Sequence, residues 1–186
     1  MPAGMVETER LLLRPWSADY AEDFARLCAD TEAMRFITRG EPLSQEAVSG
    51  ILERTVGLWD KFGFGPWAAI EKASGRWVGR IGLNLLEDWP GPYKWEVGFE
   101  LAPEFWGRGY ATEGARRTIR FAWEVTPLRR VISVTAAEHA ASRRVLEKCG
   151  LVLQGEIAWR ETEVVWYAID RPGRLPSAGP QSGAGA

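Results

Sequence analysis

The chain has 186 residues, 46% apolar and 26% charged, with a formal net charge of −2, which suits one soluble globular domain with a sizeable core. That charge gives no reason to expect nucleic acid or an anionic membrane as partner. No apolar run approaches the roughly 18 residues that span a bilayer, and the first residues lack the basic-then-apolar pattern of a signal peptide. Only two cysteines occur, Cys28 and Cys149, and only one histidine, His139. Metal-type cysteine spacing and multi-histidine metal chemistry are excluded, and free thiols in a reducing cytoplasm are expected.

In chain order, residues 7–15 read as a strand built on Leu11, Leu12 and Leu13. Residues 18–29 read as a helix capped by Ser17, with Phe24, Leu27 and Cys28 on one face. Residues 31–43 are irregular, broken by Gly40 and Pro42. Ser44 starts a second helix, along which Val48, Ile51, Leu52, Val56 and Trp59 keep a helical period. After Gly63 the period shifts to strands at 66–72, 76–86 and 93–101, joined by turns at 72–75 and 88–92. A helix then runs from Gly109 to about Val125. Ala111, Ala115, Ile119, Ala122 and Trp123 make its apolar face; Arg116, Arg117 and Arg120 lie opposite. Residues 130–136 form a strand and 139–149 a short helix ended by Gly150. A final antiparallel pair occupies 151–158 and 163–169. Residues 1–170 thus read as one domain of mixed α/β (α+β) class, with a mostly antiparallel sheet flanked by helices. The Pro-, Gly-, Ser- and Ala-rich stretch 171–186 reads as a disordered tail.

Ten tryptophans are present. They fill a core, or several of Trp59, Trp67, Trp89, Trp95, Trp106, Trp159 and Trp166 line a pocket for an apolar or cationic ligand.

The most informative stretch is Glu104-Phe105-Trp106-Gly107-Arg108-Gly109-Tyr110-Ala111-Thr112-Glu113, where a strand gives way to a helix. Two glycines two apart allow a tight turn and close approach of backbone to a ligand. The free N–H groups of the helix start favour a phosphate or pyrophosphate, and Arg108 adds a positive charge. A plain tight turn has the same appearance. The stretch fits neither Gly-x-Gly-x-x-Gly, since Thr112 stands where a third Gly is needed, nor a Gly-Lys-Ser/Thr triphosphate loop.

This order of elements resembles the GNAT superfamily of acetyl-CoA-dependent N-acetyltransferases over roughly residues 7–170. Glu-Thr-Glu-Arg-Leu-Leu-Leu-Arg-Pro at 7–15 is similar to the family's opening strand. Phe-Trp-Gly-Arg-Gly-Tyr-Ala-Thr-Glu at 105–113 is similar to the pyrophosphate loop of its ribosomal-protein acetyltransferase (RimJ/RimL) branch. Ala-Ser-Arg-Arg-Val-Leu-Glu-Lys-Cys-Gly-Leu at 141–151 is similar to the second cofactor helix and the strand after it. The resemblance implies acetyl-CoA as acetyl donor. It implies strands 93–101 and 130–136 side by side and splaying apart, the pantetheine arm in the wedge against backbone of Phe99 to Leu101, and the pyrophosphate on the N–H groups of Gly107, Arg108, Gly109, Tyr110, Ala111 and Thr112, beside Trp106.

Attack of an amine on a thioester requires loss of the amine proton, a donor for the oxyanion, and a proton or hydrogen bond for the departing thiolate. In the branch, a Ser three residues after an Asn is the thiolate partner, which implies Ser142; the bland alternative is a helix-surface or capping serine. His139 stands in place of the Asn, as a cofactor contact, an acid or base, or a plain helix-start residue. Glu104 occupies a loop position where relatives carry Gln or Arg. For the base, Glu96 and Glu100 share one strand face beside a groove rimmed by Trp95 and Trp106; Glu96 is preferred, and an exposed Glu paired with an Arg is the alternative. The acceptor is expected between residues 31–43, the second helix and the 158–163 turn, with Glu32, Glu41, Glu156, Glu161 and Glu163 able to favour a cationic amine. The leading expectation is transfer to a primary amine, either a small molecule or a protein N-terminus, by a monomer or homodimer. A non-catalytic CoA-binding module is the alternative suggested by the missing Asn, and a domain for another nucleotide is a third.

Overall fold

The computed structural model describes residues 4–160 and 162–173, so Glu161 and nearly all of the expected tail lie outside the described residues. Eight strands form one sheet among the described residues: β1 (Val6–Glu7), β2 (Leu11–Pro15), β3 (Pro66–Glu71), β4 (Trp77–Leu85), β5 (Trp95–Leu101), β6 (Arg130–Ala136), β7 (Val152–Trp159) and β8 (Thr162–Asp170). Four α-helices pack on it: α1 (Ala21–Ala29), α2 (Gln45–Phe62), α3 (Tyr110–Val125) and α4 (Ala140–Lys148). The strand order across the sheet is β1-β2-β3-β4-β5-β6-β8-β7, and every neighbouring pair is antiparallel except β5–β6.

The expected first strand is two strands. Thr8 donates its N–H and hydroxyl to the Leu11 carbonyl and accepts from the Leu11 N–H. This turn folds Val6 back onto Leu13. The first helix also departs from expectation. It opens as a 3-10 turn over Ala18–Tyr20, and Ser17 makes no capping bond because its hydroxyl goes to Asp19. Ser44 does cap α2, accepting from the Ala47 N–H. On α2 it is Thr55 rather than Val56 that is buried, its hydroxyl satisfied by the Ile51 carbonyl one turn back.

The sheet has two covered faces. On one, α3 lays Ala115, Ile119 and Ala122 against Ile81, Leu83, Val97 and Leu101. On the other, α1 and α2 bring Phe24, Leu27, Cys28 and Val48 over Ala68. A separate cluster of Trp89, Ile132, Val164 and Ala168, with Trp159 and Trp166 against it, packs beyond the first two.

The parallel pair positions the site. β4 pairs with β5 along its whole length, from Leu101 to Trp95, whereas β5 and β6 share a single register pair, Glu96 with Ile132. From that point toward Leu101 the two strands part, as the expected splay requires.

Candidate active site

The cofactor side is built from one contiguous stretch. β5 ends at Leu101, Pro103–Phe105 makes a 3-10 turn, and Gly107 and Gly109 follow at φ +72° and +84° before α3 begins. Only glycine takes this left-handed region without strain. Among the described residues, the six consecutive N–H groups of Gly107, Arg108, Gly109, Tyr110, Ala111 and Thr112 have no acceptor; the first bond into the helix is from Glu113 to the Gly109 carbonyl. Six free N–H groups at the positive end of a 16-residue helix make a cradle suited to a pyrophosphate.

The loop is held from behind. The Arg10 N–H and guanidinium bond both oxygens of Glu113 at 2.8 and 2.7 Å, and the guanidinium also reaches the Arg108 carbonyl at 2.9 Å. Burial pushes the Glu113 carboxyl up, but hydrogen bonds from Thr8 and Arg10 outweigh it and hold the group below its ordinary range. Sequence reasoning missed this clamp; its only signal is Arg10 in the opening motif. Tyr110 turns its ring into the core, its hydroxyl on Glu71, so only its backbone faces the cradle. Glu104 pairs with Arg76 at 2.8 Å, which neutralises the one carboxylate expected to disfavour an anion. Trp106 is 44% exposed and donates its indole N–H to the Leu101 carbonyl at 2.8 Å, in the gap where β5 has left β6. The Phe99 and Leu101 side chains pack toward α3.

The gap is flanked by α4. His139 precedes its first turn, makes no side-chain cap, and stacks on Phe36 with ring centroids 4.0 Å apart. Burial lowers its pKa, so the imidazole is neutral at pH 7. Ser142 is buried on the same helix face as Leu146. Its hydroxyl has no hydrogen-bond partner among the described residues, so it is neither a surface nor a capping serine.

The acceptor face gathers side chains from several strands. The Glu96 carboxylate sits where β5 and β6 part and accepts the Val134 N–H of β6 at 3.1 Å. Its other oxygen faces the Asn84 amide at 3.4 Å. Burial drives its pKa up to about 7, against the lowering effect of the Val134 bond. Glu100 is instead paired with Arg80 at 2.9 Å. Of the two carboxylates, one is committed to a cation and the other has no cation within ion-pair distance among the described residues.

The expected groove between Trp95 and Trp106 does not form around Glu96. These two lie at opposite ends of β5: Trp95 packs on Phe62 and Phe64, Trp106 on the Leu101 carbonyl. The indoles on the Glu96 side are Trp89, Trp159 and Trp166, whose cluster includes Ile132, the strand partner of Glu96. Arg160, next to Trp159, forms a two-bond ion pair with Asp88 at 2.7 and 2.8 Å and also feels the charge of Glu96. Trp67 and Trp59 are core residues. Glu32, Glu41, Glu156 and Glu163 are all exposed.

A single wedge thus has a row of unpaired backbone N–H groups on one side and a buried-strand carboxylate on the other. The GNAT acetyltransferase domain family matches residues 10–152. The chain belongs to the GNAT acetyltransferases. It is therefore an N-acetyltransferase with acetyl-CoA as acetyl donor, and the non-catalytic alternative is set aside. It is similar to the FsC-acetyl coenzyme A-N(2)-transacetylase of Aspergillus fumigatus, 29% identical over 189 residues, covering 90% of this chain and 80% of that protein. The fold is shared with an acetyltransferase from Agrobacterium tumefaciens (24% identity, 92% and 96% of the two chains, TM-score 0.80). It is shared too with RimL, the ribosomal L7/L12 alpha-N-protein acetyltransferase, in complex with coenzyme A (16% identity, 89% and 97%, TM-score 0.74).

Proposed function

We propose that residues 1–170 act as one RimJ/RimL-like catalytic unit that acetylates a primary amine, with Glu96 as general base and Ser142 as the thiolate partner. The observation that carries the reading is the Glu96 carboxylate at the parting of β5 and β6, with its pKa near 7. Acetyl-CoA supplies the acetyl group as an activated thioester. The N–H groups from Gly107 to Thr112 hold the pyrophosphate, and backbone of Phe99 to Leu101, with Trp106 beside it, borders the arm. Glu96 takes the ammonium proton at a carboxylate oxygen, directly or through water. A base titrating near 7 is half ionised at neutral pH and well matched to this step. The Ser142 hydroxyl, unpartnered on a largely buried residue, donates to the sulfur as it leaves. His139, neutral and stacked on Phe36, positions the start of α4 beside the cofactor arm.

The acceptor is a small-molecule amine or a protein N-terminus. The A. fumigatus relative, by its name an N(2)-transacetylase, favours the former; RimL favours the latter. Desolvation raises both thiols, the buried Cys28 to about 12 and the half-buried Cys149 to about 11, which suits a protein of a reducing cytoplasm without thiol chemistry. The test is thiol release from acetyl-CoA across a panel of amines and N-terminal peptides, as a function of pH. The expected rate rises with pH through about 7 in the wild type and loses that limb in Glu96→Gln. An unchanged limb in Glu96→Gln removes Glu96 as base, and full turnover in Ser142→Ala removes the serine.

A further inference from the structure

Two residues that suit a strand poorly, Asn84 on β4 and Gly98 on β5, meet Arg80 of β4 at one spot on the acceptor face. Asn and Gly are depleted from strand interiors, and breaches of local preference gather at functional sites. The contacts explain them. Arg80 Nη2 donates to Asn84 Oδ1 at 2.7 Å. Arginine has no acceptor, so this bond fixes which way the amide points. Nδ2 is thereby turned to the Glu96 carboxylate at 3.4 Å. Arg80 is itself anchored by Glu100 at 2.9 Å and is only 11% exposed. Gly98 leaves the room: a Cβ there would lie 2.4 Å from Asn84 Nδ2.

We infer that Asn84 is a positioning residue for the proposed base, holding one Glu96 oxygen while the Val134 N–H holds the other, so that the remaining lone pairs of the carboxylate face the acceptor. The inference rests on the reading of Glu96 as base. A carboxylate has about four acceptor sites; two are taken by Asn84 and Val134, and the rotation that would misdirect the others is blocked. The chain Glu100–Arg80–Asn84–Glu96–Val134 crosses three strands. It gives the base a fixed direction that a lone strand glutamate lacks.

The charged groups facing this carboxylate are Arg80 on β4, Glu100 on β5, and Arg160 at the β7–β8 turn with its partner Asp88 from the β4–β5 turn. The Cys28 thiol of α1 lies within reach of Glu100 and Arg80 and is uncharged at neutral pH. Asn84 is the neutral donor among them, so changing it alters the ionised form of Glu96 without removing a charge.

The experiment is the pH dependence of kcat/KM for Asn84→Ala, Asn84→Asp, Gly98→Ala and Glu96→Gln, with acetyl-CoA affinity measured on each variant as a check of folding. Asn84→Ala moves the acid limb upward by about half a unit, and Asn84→Asp, which sets a second carboxylate against the first, by about one unit or more. Gly98→Ala, by displacing the amide, moves it in the same direction as Asn84→Ala. A merely structural role would lower the rate and leave the midpoint in place. If Glu96→Gln abolishes the limb while the Asn84 variants leave its midpoint unmoved, the inference fails and the base assignment stands. If Glu96→Gln keeps the limb, the base assignment fails and the inference with it.

Discussion

The cofactor side of the wedge is made of backbone from one contiguous stretch, whereas the acceptor side is made of side chains brought from β4, β5 and the β7–β8 turn, with one backbone N–H from β6. The cradle from Gly107 to Thr112 needs two residues at positive φ and a helix start, which ten residues of sequence specify. The acceptor face needs Glu96, Asn84, Arg80 and Val134 in one place, and these are 38 residues apart for the bond from Val134 to Glu96 alone. The first half rests on backbone geometry, and the second on which side chains the strand register brings together.

Substitutions in each half break this contrast in different ways. The largest effect is expected for Glu96→Gln, with kcat/KM down by about 10³-fold and acetyl-CoA affinity unchanged by calorimetry; a loss of affinity would mean that the halves are not separable. The same variant carries a stability signature. Glu96 titrates near 7 in the fold against an ordinary 4.5. The native state thus holds an extra proton between those values, and its stability is complete below 4.5 and falls as pH rises through 7. Glu96→Gln is therefore expected to melt higher than wild type at pH 8 and level with it at low pH. Ser142→Ala is expected to lower kcat by about 10- to 100-fold with KM for acetyl-CoA little changed. Gly109→Val, forced into the left-handed region, should weaken acetyl-CoA binding by about 10-fold and spare kcat at saturation. Arg10→Ala releases a partly exposed clamp, so an affinity loss of about threefold is expected. A larger loss would show that the cradle depends on distant residues as the acceptor face does.

Legibility in the sequence followed the same division. The strand and helix order and the glycine turn were readable because each rests on local periodicity or on glycine spacing, whereas the splay between β5 and β6 came only from the family resemblance. The turn at Thr8 was not, because the Leu11-Leu12-Leu13 run hides a reversal made by one hydroxyl. The Arg10–Glu113 clamp spans 103 residues and leaves no local pattern. Trp95 and Trp106 were read as rimming one groove because they border the same strand, yet a strand of seven residues separates its ends by about 20 Å. The sequence reading preferred Glu96 to Glu100, but what sets the two apart in the structure, a cross-strand arginine that pairs with Glu100, is a matter of register between β4 and β5.

The cluster of Trp89, Trp159 and Trp166, with ring centroids 5.4 and 5.9 Å apart, makes this face its own reporter. Indoles so close share excitation energy and split one another's near-ultraviolet bands. A molecule settling beside Glu96 changes their surroundings together, whereas one settling on the glycine loop reaches Trp106 alone. Near-ultraviolet dichroism of the unlabelled protein therefore distinguishes occupancy of the two sides of the wedge without any engineered probe.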